Sequence, residues 1–278
     1  MVTPFRAGIE GKELKQKTVK ILALGDVIGE PGRNAVFLYL PEMIKSIQAD
    51  FVIINGENSA GGFGITAEIA QNLFLAGADI ITTGNHVWKQ KDMPEFLNSS
   101  QKVLRPANYP PGAPGSGAAI IEKHGIKFGV INLLGRVFMD PMDCPFRTAT
   151  EELNKMQTIA DIKIIDFHAE ATSEKVAMGW HLDGVASLVF GTHTHIQTAD
   201  EHVLPGGTGY ITDIGMVGPW DSIIGMEKTN ILKRFRTCLP GKLEVAKNDI
   251  HIEGIIVDIN TQEGKTEKIT RLQKKVVL

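Results

Sequence analysis

The sequence predicts an α/β fold in one domain, and three observations carry that reading. Short apolar runs alternate with segments whose apolar residues recur at helical spacing, which is the pattern of repeated βαβ units. No Pro/Ser-rich linker or composition shift divides the 278 residues, so one large domain is favoured over two small ones. Five apolar runs end abruptly in residues that bind metals: Ile21–Leu24 before Gly25-Asp26, Phe51–Ile54 before Gly56-Glu57-Asn58, Ile80-Ile81 before Gly84-Asn85-His86, Ile162–Phe167 before His168, and Leu188–Phe190 before His193-Thr194-His195. In open α/β sheets ligands bind beyond the carboxyl ends of the strands, so these five ends predict one shared pocket.

The elements follow in order. Residues 1–18 are polar, charged and aperiodic and read as an extension outside the core; residues 19–278 form the domain. A strand near 19–25 leads to a helix near 32–47 opened by Pro31 and Gly32, a strand at 51–54, a helix near 66–76 and a strand at 79–82. In the second helix Thr66 stands at the start, and Ile69, Leu73 and Phe74 keep helical spacing. Strands near 102–105, 117–122 and 126–133 follow without long helices between them, so a sheet edge or a second sheet begins there. Helices near 148–159 and 172–180, with strands near 162–167 and 186–190, restore the alternation before strands near 208–212 and 251–259. Nothing repeats at a solenoid period.

Composition bounds the function. Apolar content of 43 % with 29 glycines is that of an ordinary globular enzyme, long enough to bury a sizeable core. Cys144 and Cys238 stand far apart, which suggests neither a disulfide framework nor a zinc ribbon and fits a reducing cytoplasm. No apolar run approaches the ~20 residues of a membrane helix, and the N-terminus lacks a signal peptide's apolar core. A net charge of −3 gives no global basic field and disfavours a duplex DNA binder. Bound divalent cations would make a positive pocket without excess lysine or arginine. The sequence leaves a homo-oligomer open.

The residue types at the strand ends set the chemistry. Asp26, Glu57, Asn58, Asn85, His168, His193 and His195 form a mixed nitrogen and oxygen set with no thiolate, suited to Mn, Fe, Zn or related divalent ions. Glu57, with two oxygens after a central strand, is the natural bridge between two ions, and His193 and His195 would serve different ions. Spacing alone does not force that division, because a His-x-His pair on a strand-like loop can point both rings one way. Two divalent ions about 3.5–4 Å apart hold a hydroxide and clamp the oxygens of an in-line phosphoryl displacement. His86, beside Asn85, is the candidate proton donor to the leaving alkoxide.

These motifs resemble the calcineurin-like metallophosphoesterases, and within them the bacterial YmdB-type branch, from about Val19 to the end. The superfamily's usual Asp-x-His, Gly-Asp, Gly-Asn-His-Glu, separate His and Gly-His-x-His correspond here to Gly25–Ile28, Gly56–Asn58, Gly84–Val87, His168 and Gly191–His195. Ile28 stands where the superfamily places a ligand histidine. Glu57-Asn58 with loss of that histidine is what the YmdB-type branch shows, and Asp166–Lys175 and Gly191–Asp200 match it further. The resemblance implies a four-layer α/β/β/α sandwich, a dinuclear iron-type centre tolerant of manganese, and hydrolysis of cyclic nucleotides. The 2′,3′ forms are the favoured substrates, free or as RNA termini, cleaved at the 2′ bond to a 3′-phosphate. It also implies that Asp26, Glu57, Asn58 and His195 bind one metal and Glu57, Asn85, His168 and His193 the other, with His86 as proton donor.

Taken singly, each residue has an ordinary alternative. Asp26 and Asn85 suit Asx turns, His168 suits a hydrogen-bonded core position, and histidines on alternate positions can satisfy backbone groups. Joint placement at five strand ends outweighs these readings. Gly29–Arg33 is a plain strand-to-helix turn, Gly61–Gly64 is either a lip carrying Phe63 to a base or a connector, and Asp166, Glu170, Thr192 and Thr194 are candidates to orient imidazoles. His124, His181, His202 and His251 have surface or packing roles. Two other functions compete. Metal-dependent amide hydrolysis also uses His-x-His, but early in a barrel's chain. A nucleotide- or RNA-binding regulator with a weakly active metal site would explain Ile28, against which His86 is retained.

Overall fold

The computed structural model describes residues 17–278, so the extension assigned to residues 1–18 lies outside it apart from Lys17 and Thr18, and Thr18 already belongs to the first strand. The first half of the chain runs β1 (Thr18–Leu24), β2 (Asp26–Val27), α1 (Gly29–Ile47), β3 (Phe51–Asn55), α2 (Ala67–Ala76), β4 (Ile80–Thr82), α3 (Met93–Ser99) and β5 (Val103–Leu104). A second series follows: β6 (Ala118–Lys123), β7 (Ile126–Leu134), α4 (Pro145–Met156), β8 (Ile162–His168), α5 (Thr172–His181), β9 (Leu188–Thr192), β10 (His202–Val203) and β11 (Gly209–Ile211). The chain closes with β12 (Met216–Pro219), α6 (Lys228–Thr237), β13 (Ile250–Asn260) and β14 (Lys265–Val276).

Two sheets pack face to face between two helical layers. One is eight-stranded in the order β2-β12-β13-β1-β3-β4-β5, with β14 on the other edge of β13. The other is six-stranded in the order β10-β11-β9-β8-β7-β6. Strands β1, β3, β4 and β5 are parallel, as are β7, β8, β9 and β11, so in each sheet the carboxyl ends of the central strands share one edge. The core between the sheets joins Ile21, Phe51 and Ile80 to Phe128, Ile164 and Phe190. Phe51 and Phe128 stack across it with centroids 4.2 Å apart. A second core packs Val36, Leu40, Leu73 and Leu97 of the first three helices on the larger sheet. A third packs Leu153 and Met178 of α4 and α5 on the smaller one. These are the four layers α/β/β/α.

Burial on both faces explains why β3, β8 and β9 read as continuous apolar runs rather than alternating ones. Local signals set the helix ends. Thr66 Oγ1 accepts the Ile69 amide hydrogen at 3.2 Å, and Gly77 ends α2 in the left-handed region at φ 119°. Helix α1 begins at Gly29, three residues before the expected start, and α4 spans 145–156 rather than 148–159 because Pro145 opens it. The expected break after residue 105 is real: β5 is an edge of the larger sheet, and β6 the opposite edge of the smaller. The sequence reading missed β2, α3, β10, β12, α6 and β14. The short strands β2, β10 and β12 carry no periodic signal and exist because a neighbour pairs with them. β14 is missed for another reason: exposed on most of its length, it lies along all of β13.

Candidate metal centre

The five strand ends meet where the two sheets' carboxyl edges face each other. Asp26 is held by pairing of β2 with β12, its amide donating to Gly215 O at 3.1 Å. That crossing requires glycine at 25, where a Cβ would lie 2.1 Å from the Gly215 oxygen. Glu57, fully buried one turn after β3, has its amide fixed by Asn55 Oδ1 at 3.1 Å. Asn85 and His86 follow β4 through Gly84, where a Cβ would lie 2.2 Å from Glu57 Oε2 and 2.3 Å from the His168 ring. His168 ends β8, and His193 and His195 follow β9.

The side chains fall into two touching groups. His168 Nε2 lies 2.9 Å from Glu57 Oε1, 3.2 Å from Asn85 Oδ1 and 3.0 Å from His193 Nδ1. Potential donor atoms of Glu57, His168 and His193 all lie within 4.8 Å of one another. In the second group, Asn58 Nδ2 lies 3.1 Å from His195 Nε2, which is 3.8 Å from Asp26 Oδ1. All seven ligand candidates are thus brought together, and His86 joins them with its Nδ1 2.7 Å from Asn58 Oδ1.

The His-x-His segment departs from the strand-like geometry expected of it. His193 and His195 both have left-handed backbones, at φ 97° and 63°, uncommon for non-glycine residues. This turn, not strand alternation, sends the two rings to different groups, and observed strain of this kind is typical of functional sites. Several bonds hold it. The His193 amide donates to Asp26 Oδ2 at 3.1 Å, and His195 Nδ1 lies 2.9 Å from Ile224 O. Between the two histidines, Thr194 donates its amide and hydroxyl to Asp213 Oδ2 at 3.2 and 2.7 Å, and Lys175 Nζ meets the same oxygen at 2.6 Å. Lys175 and Asp213 are both fully buried within 1 %.

Further partners orient the rings. His168 Nδ1 lies 2.9 Å from Thr192 Oγ1, which donates to Asp166 Oδ1 at 2.7 Å, and Asp166 also accepts from Thr82 and Asn55. His193 Nε2 lies 3.2 Å from Glu170 Oε2. Asp166, Glu170, Thr192 and Thr194 therefore do orient the histidines or their loop. Asn55, Lys175, Asp213 and Ile224 went unnoticed. Asp213 had a readable signal, since it too follows a short apolar strand; Lys175 had none. Ile28, fully buried, packs beneath Gly225, next to the Ile224 carbonyl that holds His195. Gly29–Arg33 turns away from the centre, Arg33 donating to Ser59 O at 2.5 Å.

The electrostatics are those of ligands waiting for a cation. Asp26 Oδ1 is buried without a hydrogen-bond partner, a position costly for a carboxylate unless a positive charge comes to it. Burial pushes the Asp26 pKa up to about 6 despite His195 and His168 nearby. Burial also opposes the charged forms of Glu57 and His168, but their mutual attraction overrides it, lowering the carboxyl and raising the imidazole. Burial, reinforced by the His168 charge, depresses His193 to about 3, leaving a neutral ring fit to donate to a metal. The carboxylates, neutral imidazole and orphaned oxygen fit a divalent cation, and the lack of space at Gly84 shows how closely they are gathered.

A cavity of about 550 Å³ opens from this centre. Glu57, Asn58, His86, His193 and His195 form its polar floor; Phe63, Ile224, Met226 and Phe235 form apolar walls. Phe63 meets the His86 ring edge-on at 5.1 Å, so Gly61–Gly64 is a lip at the site rather than a bare connector. His86 Nδ1 lies 2.7 Å from Asn58 Oδ1, and burial holds its pKa below 6.5 against the attraction of Glu57. Asn58 turns its oxygen to His86 and its nitrogen to His195; donating the oxygen to a metal requires rotating the amide by half a turn.

With this geometry in hand, the comparisons with known proteins are specific. A Bacillus subtilis (strain 168) protein named 2′,3′-cyclic-nucleotide 2′-phosphodiesterase is 47% identical over 254 residues, 91% of this chain and 96% of its own. The crystal structure of a hypothetical protein from Thermus thermophilus superposes with a TM-score of 0.87 at 41% identity, covering 92% of this chain and 99% of that one. A structure described as a novel phosphatase from Mycoplasma pneumoniae gives a TM-score of 0.88 at 34% identity, covering 93% and 94%. No helix among the described residues is long and apolar enough to cross a membrane. The YmdB-like protein family matches residues 22–272, and the chain belongs to that family.

Proposed function

We propose that the protein is a metal-dependent phosphodiesterase that opens 2′,3′-cyclic nucleotides at the 2′ bond to give 3′-phosphates. The observation that carries this reading is the gathering of Glu57, His168 and His193 donor atoms within 4.8 Å beneath a cavity with apolar walls, together with the activity named for the Bacillus subtilis relative. Asp26, Glu57, Asn58 and His195 would hold one divalent ion and Glu57, Asn85, His168 and His193 the other, iron being the first candidate and manganese the second. The ions, when bound, supply an activated water and charge neutralisation for the phosphate.

The chain's own residues account for the rest. Asp166, through Thr192, fixes the His168 ring, so that Nε2 faces the centre. Asp213 and Lys175 hold the strained His193–His195 turn, keeping the two rings divergent. In the displacement the water oxygen bonds to phosphorus, the phosphorus to O2′ bond breaks, and the ribose oxygen takes a proton. His86 lines the cavity beside Glu57 and Asn58, and is the residue placed to donate that proton. An anionic phosphate beside His86 favours the protonated ring, opposing the effect of burial. A cyclic five-membered phosphate needs only one ribose oxygen protonated, so one acid suffices.

The test is turnover of 2′,3′-cyclic AMP, 3′,5′-cyclic AMP and an aryl phosphodiester by metal-stripped protein reconstituted with Fe(II) or Mn(II), with product positions resolved. Metal-dependent formation of the 3′-phosphate from the first substrate is expected. Exclusive formation of the 2′-phosphate would overturn the assigned bond, and no turnover with two metals bound would refute the reading and favour a nucleotide- or RNA-binding regulator.

A further inference from the structure

The chain as a whole is acidic, yet residues 228–247 carry six basic side chains, Lys228, Lys233, Arg234, Arg236, Lys242 and Lys247, against the single acid Glu244. This segment forms α6 and the strand-free stretch after it, and every residue from Leu232 to Lys242 is exposed. Lys228 and Lys242 pair with Asp221 and Glu244. Lys233, Arg234 and Arg236 form no ion pair among the described residues. The segment borders the catalytic cavity directly, because Ile231, Arg234, Phe235 and Leu243 form its outer wall opposite Glu57, His86 and His193. Leu243 also lines an adjoining trench of about 670 Å³ that presents Lys242 and Lys247 together with Glu30 and Glu244. Phe235 is 77 % exposed at this rim, next to the exposed Leu232 and Leu239, so the segment presents an apolar patch as well as charge.

A free 2′,3′-cyclic mononucleotide carries one negative charge, which the metal centre alone can meet. A row of unpaired cations leading away from the cavity matches a longer polyanion, and an exposed aromatic among them matches unpaired bases, the combination by which single strands are held without sequence preference. We propose that the 228–247 segment binds single-stranded RNA, and that the substrate is an RNA chain ending in a 2′,3′-cyclic phosphate: the terminal nucleotide enters the cavity and the preceding ones cross α6. This rests on the phosphodiesterase reading for the terminal step alone. Chains with such ends arise wherever RNA is cleaved by attack of its own 2′ hydroxyl, so the enzyme would consume the product of that class of reaction.

The experiment uses the full-length, metal-loaded protein. A 5′-labelled six-nucleotide RNA ending in a 3′-phosphate, which is not turned over, is titrated by fluorescence anisotropy between 50 and 200 mM salt. Three phosphate contacts give a slope of about −2 in log affinity against log salt, roughly 20-fold weaker binding over that range. The ratio of kcat/KM for the cyclic-ended hexamer to that for 2′,3′-cyclic AMP is expected to exceed one by about tenfold or more. Lys233→Gln with Arg236→Gln, both away from the cavity wall, should lower that ratio and flatten the slope. Salt-independent binding, or a ratio at or below one, would overturn the RNA proposal while leaving the phosphodiesterase intact. Absence of turnover on both substrates would sink the phosphodiesterase reading instead, with the salt slope still deciding whether the segment binds RNA.

Discussion

The two walls of the catalytic cavity are built in opposite ways. The floor and the ligand groups beneath it place Asp26, Glu57, Asn85, His168, His193 and His195 after the ends of paired strands, where the buried side chains of Asn55, Asp166, Thr192, Lys175 and Asp213 hold the histidines and their loop. The outer wall is α6 and the stretch to Lys247, whose helix buries one apolar residue, Ile231, worth about 1.5–3 kcal/mol. Groups that must be held to fractions of an ångström sit on the sheet edges. Groups that meet a variable polyanion sit on an exposed helix, where reach matters more than precision.

Breaking the floor should have the larger effects. Glu57→Gln removes the carboxylate proposed to bridge the two ions, so metal analysis should find both ions weakened and activity abolished; full occupancy with activity would remove Glu57 as the bridge. His86→Ala should keep its metals and lose about 10²- to 10⁴-fold in kcat, the usual worth of a general acid. Unchanged turnover in that variant would assign the proton to another donor. Next comes Asp213→Ala, which leaves Lys175 buried and unpaired and releases Thr194. A destabilisation of about 3–5 kcal/mol in denaturant titrations is expected, with weaker metal binding because the His193–His195 turn relaxes.

Acidity separates the metal-free floor from its loaded form. In the metal-free protein the His168 pKa is raised above its unfolded value of 6.5 to about 9, so the stability it contributes is fully present below pH 6.5 and is lost as pH rises through about 9. Asp26, also raised, to about 6 from 3.8, adds stability only while protonated and loses it from about pH 4 to 6. His193, lowered from 6.5 to about 3, works the other way up to pH 6.5, so the net loss of stability in the metal-free protein is expected above pH 6.5, where His168 titrates, whereas metal-loaded protein, with these ligands already deprotonated, should resist. Melting temperatures of the two forms from pH 5 to 9 check this, and parallel curves would refute it. At the outer wall Phe235→Ala should be milder: at the lower end of the stacking scale, about 1 kcal/mol, kcat/KM falls roughly fivefold with kcat nearly unchanged.

Much of the floor could be read in advance because its residues obey a local rule. A short apolar run followed within a few residues by a metal-binding side chain, in several cases across a glycine, marks Asp26, Glu57, Asn85 and the histidines, and the same pattern marks Asp213 after Tyr210-Ile211 in β11. Lys175 follows no such rule. It sits on a helix with an ordinary surface-like spacing, and only packing reveals that its ammonium is buried against Asp213. The basic outer wall was visible as charge in residues 228–247 but was hidden in a whole-chain charge of −3.

The sequence by itself determined the alternation of strands and helices, the candidates for a ligand set and the family, because periodicity and residue chemistry are local properties. Tertiary structure decided what depends on distance between segments far apart in the chain. It paired β14 with β13, aimed His193 and His195 at different ligand groups through two left-handed residues, and left Asp26 Oδ1 without a partner. It also brought Arg234 and Phe235 to the rim of a cavity whose floor begins at Glu57. Side-chain direction, burial and the balance of charge are set by neighbours in space, and no local pattern encodes them.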